Sequence, residues 1–335
     1  AACASSLAAV STALGELASG SADTVIAGGA DTLNDILTYM CFSKTPALSP
    51  TEDCRPFSDA ADGTLLGEAI VMFALKRLSD AETAGDRIYA VVRGVGSASD
   101  GRGGAIYAPA PEGQSTALHR AYRRAGYGPE SVDLVESHGT GTKAGDAAEF
   151  TALHSVFSSS GRSDKQWCAL GSAKSQFGHT KSAAGAVGML KAILALNNKV
   201  LPPTIKVERP NSALDFTDGP LYLNTEARPW IKAPGQRRRA SVSSFGFGGS
   251  NFHVTMEEYV PGADSKAQPA PLTRVCPSEL VLLSASSVDE LLRAAEELAK
   301  SGAELPVSAY ATQTAFDASA PQRLSIIATS REHLE

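Results

Sequence analysis

From Ala4 to Ala18 the apolar residues Leu7, Val10, Leu14 and Leu17 recur at helical spacing, and Gly20 follows as a stop. The run DTVIAGGAD, from Asp23 to Asp31, is short and nearly continuous and predicts a buried strand. DILTYMCFSKTPALSP predicts a helix and a Pro-rich loop. GEAIVMFALKRLSDAETAGD predicts a strand and then a helix running to Gly85, and RIYAVVRGVGSASDG a strand entering a Gly/Ser loop. GQSTALHRAYRRAG is an amphipathic helix. VDLVESHGTGT reads as a strand and a Gly/Thr turn, followed by the helix AGDAAEFTALHSVF. CALGSAKSQFGHT is a further strand and loop, followed by the small-residue helix KSAAGAVGMLKAILAL. The stretch from Leu221 to Tyr259 reads as strands, including ASVSSFGFGGSNFHVTMEE.

Strands alternating with helices predict α/β layers around a largely parallel sheet. Polar and Gly-rich residues collect just after the strands, where such folds place their sites. A boundary falls near Val260. Residues 260–278, which include VPGADSKAQPAPLTRVCP, are Pro/Ala-rich, unperiodic and linker-like. Residues 279–335 then offer a strand, the helix around SVDELLRAAEELAKSG and a short strand in LSIIATS. That last segment is short for a core of its own, because domains span roughly 50–250 residues.

Composition narrows the classes. Apolar residues make up 43% and charged residues 20%, which is ordinary globular material. A net charge of −6 argues against a nucleic-acid partner. The run Arg237 to Arg239 is the one basic cluster and reads as a solvated loop. No apolar run approaches the ~20 residues of a membrane span, and no secretory signal is visible. The five cysteines, Cys3, Cys41, Cys54, Cys168 and Cys276, are odd in number and lack zinc-site spacing. No metal site or disulfide framework is expected; reduced thiols suit a cytoplasmic enzyme.

Four segments carry candidate chemistry. Cys3 stands where a helix begins, and the positive end of the helix dipole there lowers a thiol's pKa. It is either a nucleophile for acyl transfer or a buried structural cysteine. His138 follows a strand in ESHGTGT, with hydroxyls from Thr140 and Thr142 beside it. His179 follows another strand, five residues after Lys174. Each could equally be a hydrogen-bonded loop histidine. SFGFGGSNFH could bring backbone N–H groups to a ligand oxygen with Phe247 closing a pocket, or could be a tight hairpin. Glu149, on the helix after HGTGT, either pairs with Lys174 inside the site or is a surface charge. His119, His154, His253 and His333 read as structural or exposed.

With these residues assembled, the chain resembles the β-ketoacyl synthase (condensing enzyme) family of the thiolase fold. The resemblance covers residues 1–259 and rests on ACASSL, HGTGT, GSAKSQFGHTKSAAG and SFGFGGSN, in that order. Intervening text, such as CFSKTPALSPTEDCRPFSDAADGTLLGE and KVLPPTIKVERPNSALDF, is similar to ketosynthases of polyunsaturated-fatty-acid synthases and iterative modular polyketide synthases. Residues 279–335 resemble the start of the adapter that leads to an acyltransferase domain.

The resemblance implies a layered αβαβα fold and a decarboxylative Claisen condensation. Cys3 would hold the acyl chain. His138 and His179 would act on a malonyl thioester, and Lys174, paired with Glu149, would set their electrostatics. The N–H groups of Cys3 and Phe247 would form an oxyanion hole, Phe247 would gate the pocket, and Thr140 and Thr142 would contact a pantetheine arm. It further implies phosphopantetheine supplied by an acyl carrier protein, an acyltransferase domain in the same multienzyme and a homodimer, with no metal, nucleic acid or membrane.

The family normally has a substantial segment before the cysteine, including the strand that leads into it. The chain is therefore expected to be a fragment of a larger polypeptide, with apolar surface exposed when isolated. Two other readings stand beside the leading one. A thiolase-type enzyme would use a second cysteine, for which Cys168 is the candidate. A scaffold of the chain-length-factor kind would lack the cysteine or a histidine, and this chain keeps all three.

Overall fold

The computed structural model describes residues 1–45, 47–101, 105, 108–262 and 277–335. The chain divides into two compact units, Ala1–Gln268 and Pro269–Glu335. The first unit opens with a single 3-10 turn, Ala2–Ala4, that runs straight into helix α1 (Ser5–Ala18). Strand β1 (Thr24–Asp31), helix α2 (Ile36–Lys44), strand β2 (Ala69–Lys76) and helix α3 (Leu78–Ala84) follow. Next come β3 (Val91–Ser99), α4 (Pro111–Ala125), β4 (Leu134–Glu136), α5 (Lys143–Ser158), β5 (Cys168–Gly171), α6 (Lys174–Phe177) and α7 (Ala184–Asn198). The unit finishes with β6 (Val200–Leu201), β7 (Leu221–Leu223), β8 (Arg228–Pro229), β9 (Arg239–Gly246) and β10 (Ser250–Glu257).

The central sheet has six strands in the order β3-β10-β9-β4-β5-β7. The expectation of a largely parallel sheet is corrected here. β9, β4, β5 and β7 are parallel, but β3, β10 and β9 are antiparallel. The reason is local: β9 and β10 are joined by a short glycine turn, and two strands joined that way must run in opposite directions.

Helices cover both faces of this sheet. On one face α1 and α7 pack through Leu7, Val10, Met189 and Leu196 against Val242, Val254 and Met256. On the other, α4 and α5 pack through Leu118, Tyr122, Leu153 and Phe157 against Val135, Leu170 and Leu221. Small residues allow the close approach. A Cβ at Gly96 would fall 1.9 Å from the carbonyl oxygen of Ala117 on α4, and one at Gly185 would fall 2.5 Å from Leu7 Cγ.

Among the described residues β1 pairs only with β2, forming an antiparallel ribbon outside α1 and α7. It is less buried than its apolar run predicts. Ala27, Val71 and Phe73 face the helices, whereas Ile26, Ile70 and Met72 lie on the opposite face and are exposed. The arginine run is not a free loop either: Arg237 and Arg239 pair with Glu257 and Arg238 with Glu258.

In the second unit β11 (Glu279–Ala285) and β12 (Gln322–Ala328) form an antiparallel pair. Between them lie α8 (Val288–Lys300) and α9 (Leu305–Ala315), with α10 (Arg331–Leu334) at the end. Val281, Leu283, Leu305, Ala309 and Ala328 make a small core. No described helix is long and apolar enough to cross a membrane.

Candidate active site

The parallel strands β4 and β5 end side by side, and the loops that leave them carry the histidines and the lysine. Ser172 Oγ donates to the Gly139 carbonyl at 2.9 Å and ties the two loops together. Gly139 and Gly141 have positive φ (33° and 75°), a backbone that other residues rarely adopt. Cys3 enters from the opposite side of the chain. Ser244 Oγ on β9 donates to the Cys3 carbonyl at 2.7 Å, and Gly246 is so close that a Cβ there would fall 2.3 Å from the Ala1 carbonyl oxygen. The end of β9 and the turn that bears the thiol are thus locked together.

A pocket of about 340 Å³ forms where these segments meet. Cys3, His138, His179, Glu149, Thr140, Thr142 and Phe247 all line it. Lys174 stands behind His138: its Nζ donates to the His138 carbonyl and lies 3.4 Å from His138 Nδ1. Every site candidate of the leading reading is therefore in or against one cavity. Cys168 is not. It lies fully buried on β5, and burial pushes its thiol well above the ordinary range.

The imidazoles meet at 5.3 Å between ring centroids and are nearly perpendicular. Burial, reinforced by the charge of Lys174, holds both well below the usual histidine range, so both are neutral at pH 7. Their tautomers follow from their partners. His179 Nδ1 accepts from the Lys181 N–H at 3.0 Å, so its proton is on Nε2. The ammonium of Lys174 at His138 Nδ1 favours the same choice there. Lys174 itself is lowered by burial and pulled back up by Glu149, Cys54, Glu136 and Cys3.

Two expectations need correction. Glu149 makes no direct ion pair with Lys174. Its two oxygens accept instead from the His138 and Gly139 N–H groups, each at 2.7 Å. Burial pushes it up to about 7 against those bonds and the nearby lysine charge. Nor is the Cys3 thiol lowered overall, although its own N–H at the helix start acts in that direction. Burial raises it, and the charge of Lys174, followed by the N–H groups of Phe247 and of Cys3 itself, offsets only part of this.

Three buried side chains escaped the sequence reading. Asp146 accepts from the Phe57 and Gly141 N–H groups (2.7 and 3.1 Å) and is pushed up to about 7 by burial. Its signal was available: Asp146 and Glu149 are three apart on the helix after HGTGT. Glu136, at the end of β4, accepts from the Ala173 N–H and pairs with Lys191 of α7 at 3.0 Å, fixing the loop that leads to Lys174. Cys54 lies 3.4 Å from the Thr140 carbonyl and is also raised by burial. His253 is structural as expected, between Ser243 and the Tyr122 hydroxyl.

A thiol and two neutral imidazoles at the strand ends of a layered α/β fold define a condensing-enzyme type of site. The sequence agrees: the N-terminal domain of β-ketoacyl synthases matches residues 1–81, the C-terminal domain residues 89–208, and the ketoacyl-synthetase C-terminal extension residues 210–323. The chain belongs to the β-ketoacyl synthase family. It is 48% identical over 265 residues to a polyunsaturated fatty acid synthase polypeptide of a Thraustochytrium species, covering 78% of this chain and 9% of that protein. It is 39% identical over 338 residues to the polyketide synthase PksL of Bacillus subtilis, covering 99% of this chain and 7% of that one. Among solved structures, the ketosynthase from module 6 of the Bacillus subtilis bacillaene synthase superposes with a TM-score of 0.76 at 38% identity. The alignment covers 99% of this chain and 57% of that one. The oxazolomycin ketosynthase domain KS7 of Streptomyces albus gives 0.75 at 32% identity, over 99% and 58%. The chain thus spans less than a tenth of these multienzymes and under three fifths of the solved ketosynthases.

Proposed function

We propose that this pocket carries out decarboxylative Claisen condensation, adding two carbons to a fatty or polyketide chain. Cys3 attacks an acyl thioester: a new C–S bond forms to Cys3, the donor's C–S bond breaks, and the donor leaves as a thiol carrying the proton that Cys3 gave up. A malonyl thioester on the phosphopantetheine of a carrier protein then loses CO2, and the C–C bond electrons pass into an enolate. The enolate carbon attacks the Cys3-bound carbonyl. A C–C bond forms, the C–S bond breaks, Cys3 leaves as thiolate, and a 3-oxoacyl thioester remains on the carrier.

The observation that carries this reading is the pair of buried imidazoles, each with its Nδ1 occupied (by the Lys181 N–H at His179, by Lys174 at His138), beside a thiol in one cavity. Donors of this kind stabilise charge that develops on a thioester oxygen without first losing their own proton. Burial raises the Cys3 thiol and the charge of Lys174 is the largest effect opposing it, so acyl transfer to Cys3 would depend on that cation to favour the nucleophilic thiolate. The N–H groups of Cys3 and Phe247 would hold the oxyanion formed at the acyl carbonyl. The Phe247 ring, 44% exposed and 6.5 Å from Phe42, would gate the entry, and Thr140 and Thr142 would contact the arm. Residues 1–259 would be the condensing domain, 260–278 a linker and 279–335 the adapter toward an acyltransferase domain, in a homodimer within the cytoplasm.

His138→Ala and His179→Ala test the division of labour. Each is expected to slow CO2 release from malonyl carrier protein by roughly 10²–10³-fold, the usual scale for losing an oxyanion donor. Acylation of Cys3 should change far less. Undiminished CO2 release from both variants would refute the assignment.

A further inference from the structure

Among the described residues, one side-chain oxygen on the pocket wall is buried without a partner. Gln114 lines the cavity, is 2% exposed, and its Oε1 is buried without a hydrogen bond. Three other polar side chains on the same wall are hydrogen-bonded. Asn251 Nδ2 donates to Asp100 Oδ1 at 2.6 Å, and the hydroxyls of Thr140 and Thr142 bond each other at 2.9 Å. A carboxamide both donates and accepts, and leaving its oxygen unpaired in the interior is unfavourable.

Gln114 is also held in place. It is the fourth residue of α4, whose first turn is pressed against its neighbours. A Cβ at Gly113 would fall 2.1 Å from Asp100 Oδ1 and 2.9 Å from Asn251 Nδ2. Asp100 in turn abuts the turn after β9, where a Cβ at Gly249 would fall 2.8 Å from Asp100 Cβ. That turn carries the exposed Phe247 at the mouth of the pocket, whereas Cys3 is buried. A group bonded to the cysteine lies beyond the mouth. The arm that delivers every acyl and malonyl unit must cross it.

We propose that Gln114 is a positioning residue for the thioester arm: its carboxamide oxygen accepts a hydrogen bond from an amide N–H or hydroxyl of that arm as the thioester reaches Cys3. This rests on the condensation reading of the pocket. The bond supplies the partner that Oε1 lacks, so it forms only in the loaded state and helps to fix the depth at which the thioester sits.

The test compares Cys3 acylation by one acyl group carried on three thiols: pantetheine, with two amides and hydroxyls; N-acetylcysteamine, with one amide; and ethanethiol, with none. Gln114→Met is expected to lose roughly 10- to 100-fold in kcat/KM with the pantetheine thioester, mainly through KM, the scale of one buried hydrogen bond. It should match the wild type with the ethanethiol ester and melt no lower, because an unpaired amide has been removed. Gln114→Glu, which keeps an acceptor at the same reach, should recover part of the loss. An equal loss with all three thiols and a lower melting temperature would make Gln114 structural and overturn the proposal. So would no loss with any of them, or a loss that follows a hydroxyl on the acyl chain instead of the arm. Failure of all three thioesters to acylate Cys3 in the wild type would count against the condensation reading itself, not against Gln114.

Discussion

Lys174 is the charge that the whole site shares. It lowers both imidazoles and is the largest effect opposing the burial of the Cys3 thiol. Removing a cation disfavours the thiolate, so Lys174→Met should move the pH midpoint of Cys3 alkylation by iodoacetamide upward from its already raised position. The rate at pH 7 should fall accordingly. A midpoint that stays put or moves down would show that Lys174 does not act on the thiol. At this scale the sequence was informative where residue type and turn chemistry coincide. His138 and His179 each sit beside glycines that have no purpose in a plain helix or strand, and Cys3 stands among the small residues of ACASSL. It was uninformative for Glu136 and Gln114, because a buried polar residue on a helix or strand is written like an exposed one. The Lys174–Glu149 ion pair failed for a related reason. Spacing brings two charges into one region but cannot say that backbone N–H groups reach the carboxylate first.

Among the elements, packing distance is set by glycine. Gly94 and Gly96 of β3 meet the Ala121 and Ala117 carbonyls of α4 with no room for a methyl group. Gly96→Ala must push α4 outward or bend β3, and overpacking of this kind costs about 1–3 kcal/mol. Urea unfolding should show that loss; an unchanged midpoint would mean that the helix can slide without penalty. Most elements were legible from periodicity, and their order alone gave layers of strands and helices. Three features were not. The sheet is mixed, because strand direction depends on how a connection runs in space. β1 is half exposed, because an apolar run records what a strand can bury and not what lies over it. Helix α9 escaped notice, because LPVSAYATQTA mixes small and polar residues with little amphipathic contrast.

For the molecule as a whole, function depends on convergence. Cys3, the β4 and β5 loops and the β9–β10 turn are far apart in sequence, yet all reach one cavity at the ends of the parallel strands. This convergence is the strongest support for treating four short motifs as one machine, and it is invisible to any motif taken alone. Its chemistry makes an ordered claim: the acyl group is on Cys3 before carbon–carbon bond formation and leaves it during that step. Peptide mass measurement after mixing with an acyl thioester tests this directly. The peptide that contains Cys3 should gain the acyl mass and lose it when malonyl carrier protein is added, as the 3-oxoacyl thioester appears on the carrier. Cys3→Ala should show neither the adduct nor the product. An adduct on another residue, or 3-oxoacyl product formed by Cys3→Ala, would contradict the account.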